Sequence, residues 1–106
     1  MKKKLLFTLL LFVITITFSQ QKSINKLSVV PNPFTYSTKI SFSTSINSPV
    51  FFTVKNILGK TVFTKTIQAV KGKNTVPFFK RNLSKGIYIY TLQSKNYITS
   101  KRFVIQ

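Results

Sequence analysis

From Leu27 to the end of the chain, no apolar run keeps a helical period, and none exceeds nine residues before Gly, Pro or a polar cluster breaks it. That punctuation restricts the chain to short β-strands. Leu27–Val30 reads as a brief first strand, stopped by Pro31-Asn32-Pro33, whose prolines donate nothing to a ladder and force the residues before them to be extended. Thr38–Ser43 alternates, with Ile40 and Phe42 on one face and Lys39, Ser41 and Ser43 on the other. Pro49 opens Val50–Ile57, in which Val50, Phe52 and Val54 share a face. Thr61–Ile67 follows Leu58-Gly59, a hairpin in which Gly59 supplies the positive φ. After a loop around Gly72, Asn74–Phe79 carries Pro77 and suits a sheet edge or a bulge. Arg81–Lys85 is a further loop ended by Gly86. Ile87–Gln93 is apolar on both faces, as a central strand is, and Tyr97–Ile105 closes the chain. Seven short strands about ten residues apart predict an antiparallel sandwich of immunoglobulin-like size, with a small barrel as the alternative.

The first 26 residues do not share this pattern. Lys2, Lys3 and Lys4 precede an apolar stretch from Leu5 to Phe18 interrupted only by threonines, and Ser19 then leads into polar sequence. A basic segment, an apolar segment and a small residue predict a signal peptide over residues 1–19, cleaved between Ser19 and Gln20. The alternative is a membrane anchor, but a helical span needs about 20 apolar residues and this run is shorter. No cysteine follows it to carry a lipid. Residues 20–26 read as a short linker and residues 27–106 as one domain. A domain of that size buries only about 60% of its extended surface, and with no cysteine it is held by core packing alone.

The charge is one-sided. Of 106 residues 17 are Lys or Arg, and none is Asp, Glu or His. Acid–base pairs, Ser-His-Asp sets and ligand clusters for zinc or calcium cannot be assembled from such a chain. A Ser84–Lys85 nucleophile pair is formally available, but sequence neighbours on a turn diverge. The expectation is a protein that is not an enzyme, with no cofactor and no metal. Three cations fall in the leader and 14 remain, scattered with no longer mature run than Lys80–Arg81 and Lys101–Arg102. Scattered lysines read first as solvated strand faces and second as attraction to polyanions.

Four segments stand in a fixed order: Pro31-Asn32-Pro33-Phe34, Asn56-Ile57-Leu58-Gly59-Lys60, Gly86-Ile87-Tyr88, and Lys101-Arg102-Phe103-Val104-Ile105. Together they resemble the type A C-terminal sorting domain of the type IX secretion system of Bacteroidetes, over residues 27–106. The resemblance implies that Pro31, Asn32, Pro33, Phe34, Asn56, Gly59, Lys60, Gly86, Tyr88, Lys101, Arg102, Phe103, Val104 and Ile105 shape a domain that the outer-membrane translocon recognises. It also implies a cell-surface sortase that removes the domain and links its cargo to anionic lipopolysaccharide or releases it. The route would run through the inner membrane and periplasm to the surface or the medium, with the domain a monomer. Asn56 stands where the family usually has Asp, which keeps the turn chemistry and loses the charge. Between Ser19 and Leu27 there is room for only a few polar residues, so the chain reads as a sorting signal without cargo: a truncated gene, a remnant or a free-standing module.

Two other classes compete. One is a secreted immunoglobulin-like module adhering to anionic surface glycans. The other is a nucleic-acid binder stacking bases on Tyr and Phe beside cations, which an export leader argues against. The mature domain is expected to bind acidic polysaccharide, lipid and DNA alike at low salt and to release them near physiological salt, where screening acts over about 8 Å. A salt titration with each polyanion measures this. Tight, sequence-selective DNA binding at physiological salt would revive the nucleic-acid class.

Overall fold

A computed structural model describes residues 23–106, and the expected leader and Ser19–Gln20 cleavage site lie outside them. The described residues contain seven strands and no helix: β1 Ile24–Val30, β2 Ser37–Thr44, β3 Ser48–Asn56, β4 Thr61–Ala69, β5 Gly72–Phe79, β6 Gly86–Gln93 and β7 Ile98–Ile105. They form two sheets ordered β1-β2-β5 and β4-β3-β6-β7, with every neighbouring pair antiparallel. This is an immunoglobulin-like sandwich and not a barrel. Relative to the constant-type order, the fourth strand pairs with the third and so joins the larger sheet.

Period-two alternation decides what is buried. Thr38, Ile40, Phe42 and Thr44 of β2 face Val50, Phe52 and Val54 of β3 and Tyr88, Tyr90 and Leu92 of β6 across the core, and all of them are buried. Pro77 lies on β5, an edge strand, as a residue without an N–H requires. β6 is internal as its sequence suggests, yet no layer of the described residues covers its outer face, and Ile87 and Ile89 stay partly exposed there. The first strand begins at Ile24, three residues before Leu27. Lys26 adopts φ 53° and the register against β2 shifts between Asn25 and Ser28, so a bulge interrupts the alternation and hides the strand's first half from a period-two reading.

Aromatic rings bind the sheets together. Phe78 of β5 meets Phe63 of β4 at 5.3 Å, Phe103 of β7 at 5.3 Å and Phe52 of β3 at 6.1 Å between centroids. On the side where edges β4 and β5 face each other, the Arg81 guanidinium lies 5.6 Å above the Phe63 ring and covers it. On the other side Lys101 of β7 donates from Nζ to the Leu27 carbonyl of β1 at 3.3 Å.

Tyr90 is fully buried, and its hydroxyl has no hydrogen-bond partner among the described residues. Burial pushes its pKa up to about 12 from the ordinary 10.0. The folded value lies above the unfolded one, so the contribution to stability is complete below pH 10 and is lost as pH rises through about 12. Tyr90→Phe removes the unpaired donor and should raise stability by about 1 kcal/mol at neutral pH. Urea unfolding of both proteins from pH 9 to 12 cancels the lysine titrations they share. The wild-type protein should lose stability relative to the variant over that range.

Candidate functional site

The four sequence segments lie far apart in the chain, and the sandwich gathers them at one end. β3 finishes there at Asn56, β6 starts there at Gly86, and β7 finishes there at Ile105. Asn56 pairs with Tyr88, Tyr88 with Phe103, and Gly86 with Ile105. The Pro31–Phe34 loop crosses to the same end and lies along the terminal strand.

That crossing is built from specific bonds. The Asn32 side-chain oxygen accepts from the Val104 N–H at 3.0 Å. The Phe34 N–H donates to the Val104 carbonyl at 3.1 Å, and the Gln106 N–H donates to the Phe34 carbonyl at 2.8 Å. Phe34 and Ile105 thereby form a short parallel bridge. The Thr38 hydroxyl donates to the Pro31 carbonyl at 2.6 Å and holds the loop's start. Phe34 then buries its ring 5.4 Å from Phe103 and 6.2 Å from Phe78. The sequence shows a rigid turn here, and the structure shows a clamp on the C-terminus.

Tyr88 serves as a second tie. Its hydroxyl donates to the Ser84 carbonyl at 2.7 Å, four residues upstream, and its ring stacks on Phe103 at 5.8 Å. Gly86 adopts φ +151°, a backbone that a side chain would strain, so the loop can turn directly into β6. At the β3–β4 hairpin, Asn56 Oδ1 accepts from the N–H groups of Leu58 and Lys60, both at 3.0 Å. Asn thus performs the acceptor work that an Asp would perform at that turn.

Other residues of the terminal segment take different positions. Phe103 and Ile105 are core residues, 0% and 1% exposed, so they offer no apolar grip to a partner. Lys101 points to the inner face at the sandwich rim, and Arg102 stands on the outer face opposite Ile89. Gly59 and Lys60 sit beyond the sheet at the hairpin tip.

β7 is the edge of its sheet. Since the N–H and C=O of Val104 point away from β6, alternation directs those of Ile98, Ser100 and Arg102 the same way. The loop clamp covers this edge from Val104 onward. Among the described residues no backbone hydrogen bond is made to the outward groups of Ile98, Ser100 and Arg102. The edge is therefore half closed and half open, with the inward Lys101 and the exposed Arg102 blunting indiscriminate pairing.

The fold and this convergence define an immunoglobulin-like module that fixes its own C-terminus. The family model of the secretion system C-terminal sorting domain matches residues 28–106, and the chain belongs to that family, the sorting domain of type IX secretion. Among curated proteins none matches the chain. The family is a sorting signal and not a catalytic one, and it carries with it dealings with the type IX secretion machinery and export to the cell surface or beyond.

Asn32→Ala should free the Val104 N–H and lower stability by about 0.5–1 kcal/mol, since the bond is neutral and near solvent. Amide exchange followed by NMR should quicken at Val104 and Gln106 well before it quickens at Tyr90. Uniform acceleration throughout the core would show that the loop holds the whole sandwich and not the terminus alone.

Proposed function

We propose that the domain is read by the translocon through the open stretch of its terminal edge, Ile98–Arg102. The observation that carries this reading is the division of β7. Its last residues are closed by the Asn32–Phe34 loop, while the outward N–H and C=O groups before them are free to extend a partner strand. On this reading residues 1–19 direct passage through the inner membrane and are removed after Ser19. The domain, a monomer, then crosses the periplasm and presents its edge at the outer membrane. A surface sortase afterwards cleaves it from a cargo, which is released or joined to anionic lipopolysaccharide. The domain itself catalyses nothing. Adhesion to anionic surface glycans through the scattered lysines is the competing function, and it needs no open edge.

The test places a reporter ahead of Ser23 in cells with a working type IX system, with export measured by fractionation. The wild-type fusion should reach the surface or the medium. Ser100→Pro removes one outward N–H without touching the ladder to β6, a position where an edge strand tolerates proline. It should cut export severalfold while leaving the β-sheet circular dichroism intact. Ser100→Ala is the control, because it removes only the hydroxyl bonded to Thr91 and should export normally. Lys101→Ala with Arg102→Ala tests whether the two cations matter beyond the backbone, and folding should survive it. A reporter retained in the periplasm by the wild-type domain would sink the sorting role. Full export of Ser100→Pro would move recognition off this edge.

A further inference from the structure

The most exposed large apolar side chain on the described surface is Leu58, 89% exposed, and Ile57 beside it is 70% exposed. Both sit on the β3–β4 hairpin tip, which projects from the end of the sandwich where the four segments meet. Exposed apolar residues in a floppy loop would mean little. This tip is fixed. Asn56 Oδ1 holds the N–H groups of Leu58 and Lys60, the Asn56 N–H donates to the Lys60 carbonyl at 2.9 Å, and the Gly59 N–H donates to the Asn56 carbonyl at 2.9 Å. Gly59 closes the turn at φ +87°, which any side chain would oppose. The chain spends an acceptor side chain and a glycine to hold two hydrophobic groups out in water.

Cations surround them. Lys55 precedes the tip and Lys60 ends it, and Lys85 belongs to the adjoining loop that lines the same shallow depression as Asn56, Ile57 and Leu58. The chain contains no Asp or Glu to neutralise any of them. A convex apolar point ringed by uncompensated cations fits a soft, acidic, layered phase. Headgroup phosphates meet the lysines, and the acyl boundary below accepts the two side chains. We propose that the β3–β4 hairpin tip is a membrane wedge that inserts Ile57 and Leu58 into a bilayer bearing anionic headgroups. Ser23, the first described residue, is tied to Ser45 at the end of the sandwich opposite the tip. Scattered cations alone would release lipid with rising salt just as they release polysaccharide. The wedge predicts that lipid is held where polysaccharide is lost.

The chain has no tryptophan, so one introduced indole reports on its own position. The full chain carrying Leu58→Trp is mixed with phosphatidylcholine vesicles, with and without phosphatidylglycerol, at about 0.15 M salt, where surface charges are screened beyond about 8 Å. With the acidic lipid the emission should shift to the blue, and brominated acyl chains should quench it severalfold more than they quench a Phe51→Trp reporter. Phe51 is a fair control, since it is also exposed but lies on the outer face of the sheet, away from the tip. Adding Lys60→Ser and Lys85→Ser to the position-58 reporter should lower the quenching at least severalfold. An unshifted reporter on acidic vesicles would overturn the wedge, as would equal quenching at position 51 or indifference to the loss of both lysines. No translocon takes part, so this outcome stands apart from that of the export assay.

Discussion

No Asp or Glu occurs anywhere in the chain, so no side-chain ion pair can form and its cations only repel one another. No cysteine is present to staple the sheets. Cohesion therefore rests on apolar contact across the sandwich, and most of all on the rings around Phe78 and Phe103. Phe78 is the smaller sheet's contribution to this cluster, and it touches rings on β3, β4 and β7 at once. Aromatic pairs at such spacings add about 0.5–1.5 kcal/mol each beyond the area they bury. In a domain this small that is a substantial share of the few kcal/mol by which folding succeeds. The cations are disposed where they interfere least: on outer faces, at loops, or at the rim, where Lys101 and Arg81 turn their charge to use by closing the two open sides of the sandwich.

The same cluster explains why the loop after β1 and the terminal strand are coupled. Phe34 reaches the core only if its loop crosses to the larger sheet, and Phe103 reaches it only if β7 keeps its register to the last residue. Each supports the other. The bonds of the Asn32 side chain and the Phe34 backbone to Val104 and Gln106 follow from that arrangement and make the C-terminus, ordinarily the first part of a domain to fray, one of its fixed parts. An edge strand anchored at its extremity presents its remaining open groups in a constant position. A fixed geometry of this kind lowers the ordering cost that any partner strand must meet on binding.

What could be read from the sequence divides along local and non-local lines. Alternation in Thr38–Ser43 and Val50–Val54, the edge character signalled by Pro77 and the hairpin at Asn56–Gly59 depend on neighbours in sequence, and each is found where its residues put it. Phe34 and Asn32 depend on partners some seventy residues away, and a Pro-Asn-Pro turn looks the same whether its asparagine faces water or a strand end. The signal that would have helped is the phenylalanine after the second proline, an apolar residue in a polar turn. Phe103 and Ile105 stand at the end of an edge strand, yet both are core residues. A strand in a sandwich turns only one face to the solvent, edge or not, and register opposite Tyr88 and Gly86 puts Phe103 and Ile105 on the inner one. Lys26 hid half of β1 because a bulge breaks the alternation on which strand reading relies.

The convergence at one end of the sandwich also separates two kinds of motif that sequence alone lumps together. Phe34, Tyr88, Phe103 and Ile105 face inward, and their segments spend their chemistry on one another through hydrogen bonds and stacked rings. Asn56–Lys60 shows the opposite disposition, with a polar side chain turned back to the backbone and the apolar pair turned outward. A turn built only for stability would have no need to expose Ile57 and Leu58, because polar residues there would keep every one of its bonds. The inward residues thus account for the shape of the domain, while the hairpin tip and the open edge turn unspent groups outward. They lie on different elements, β3–β4 and β7, separated within the sheet by β6. A surface bound at the tip would therefore leave the edge of β7 free for a second partner.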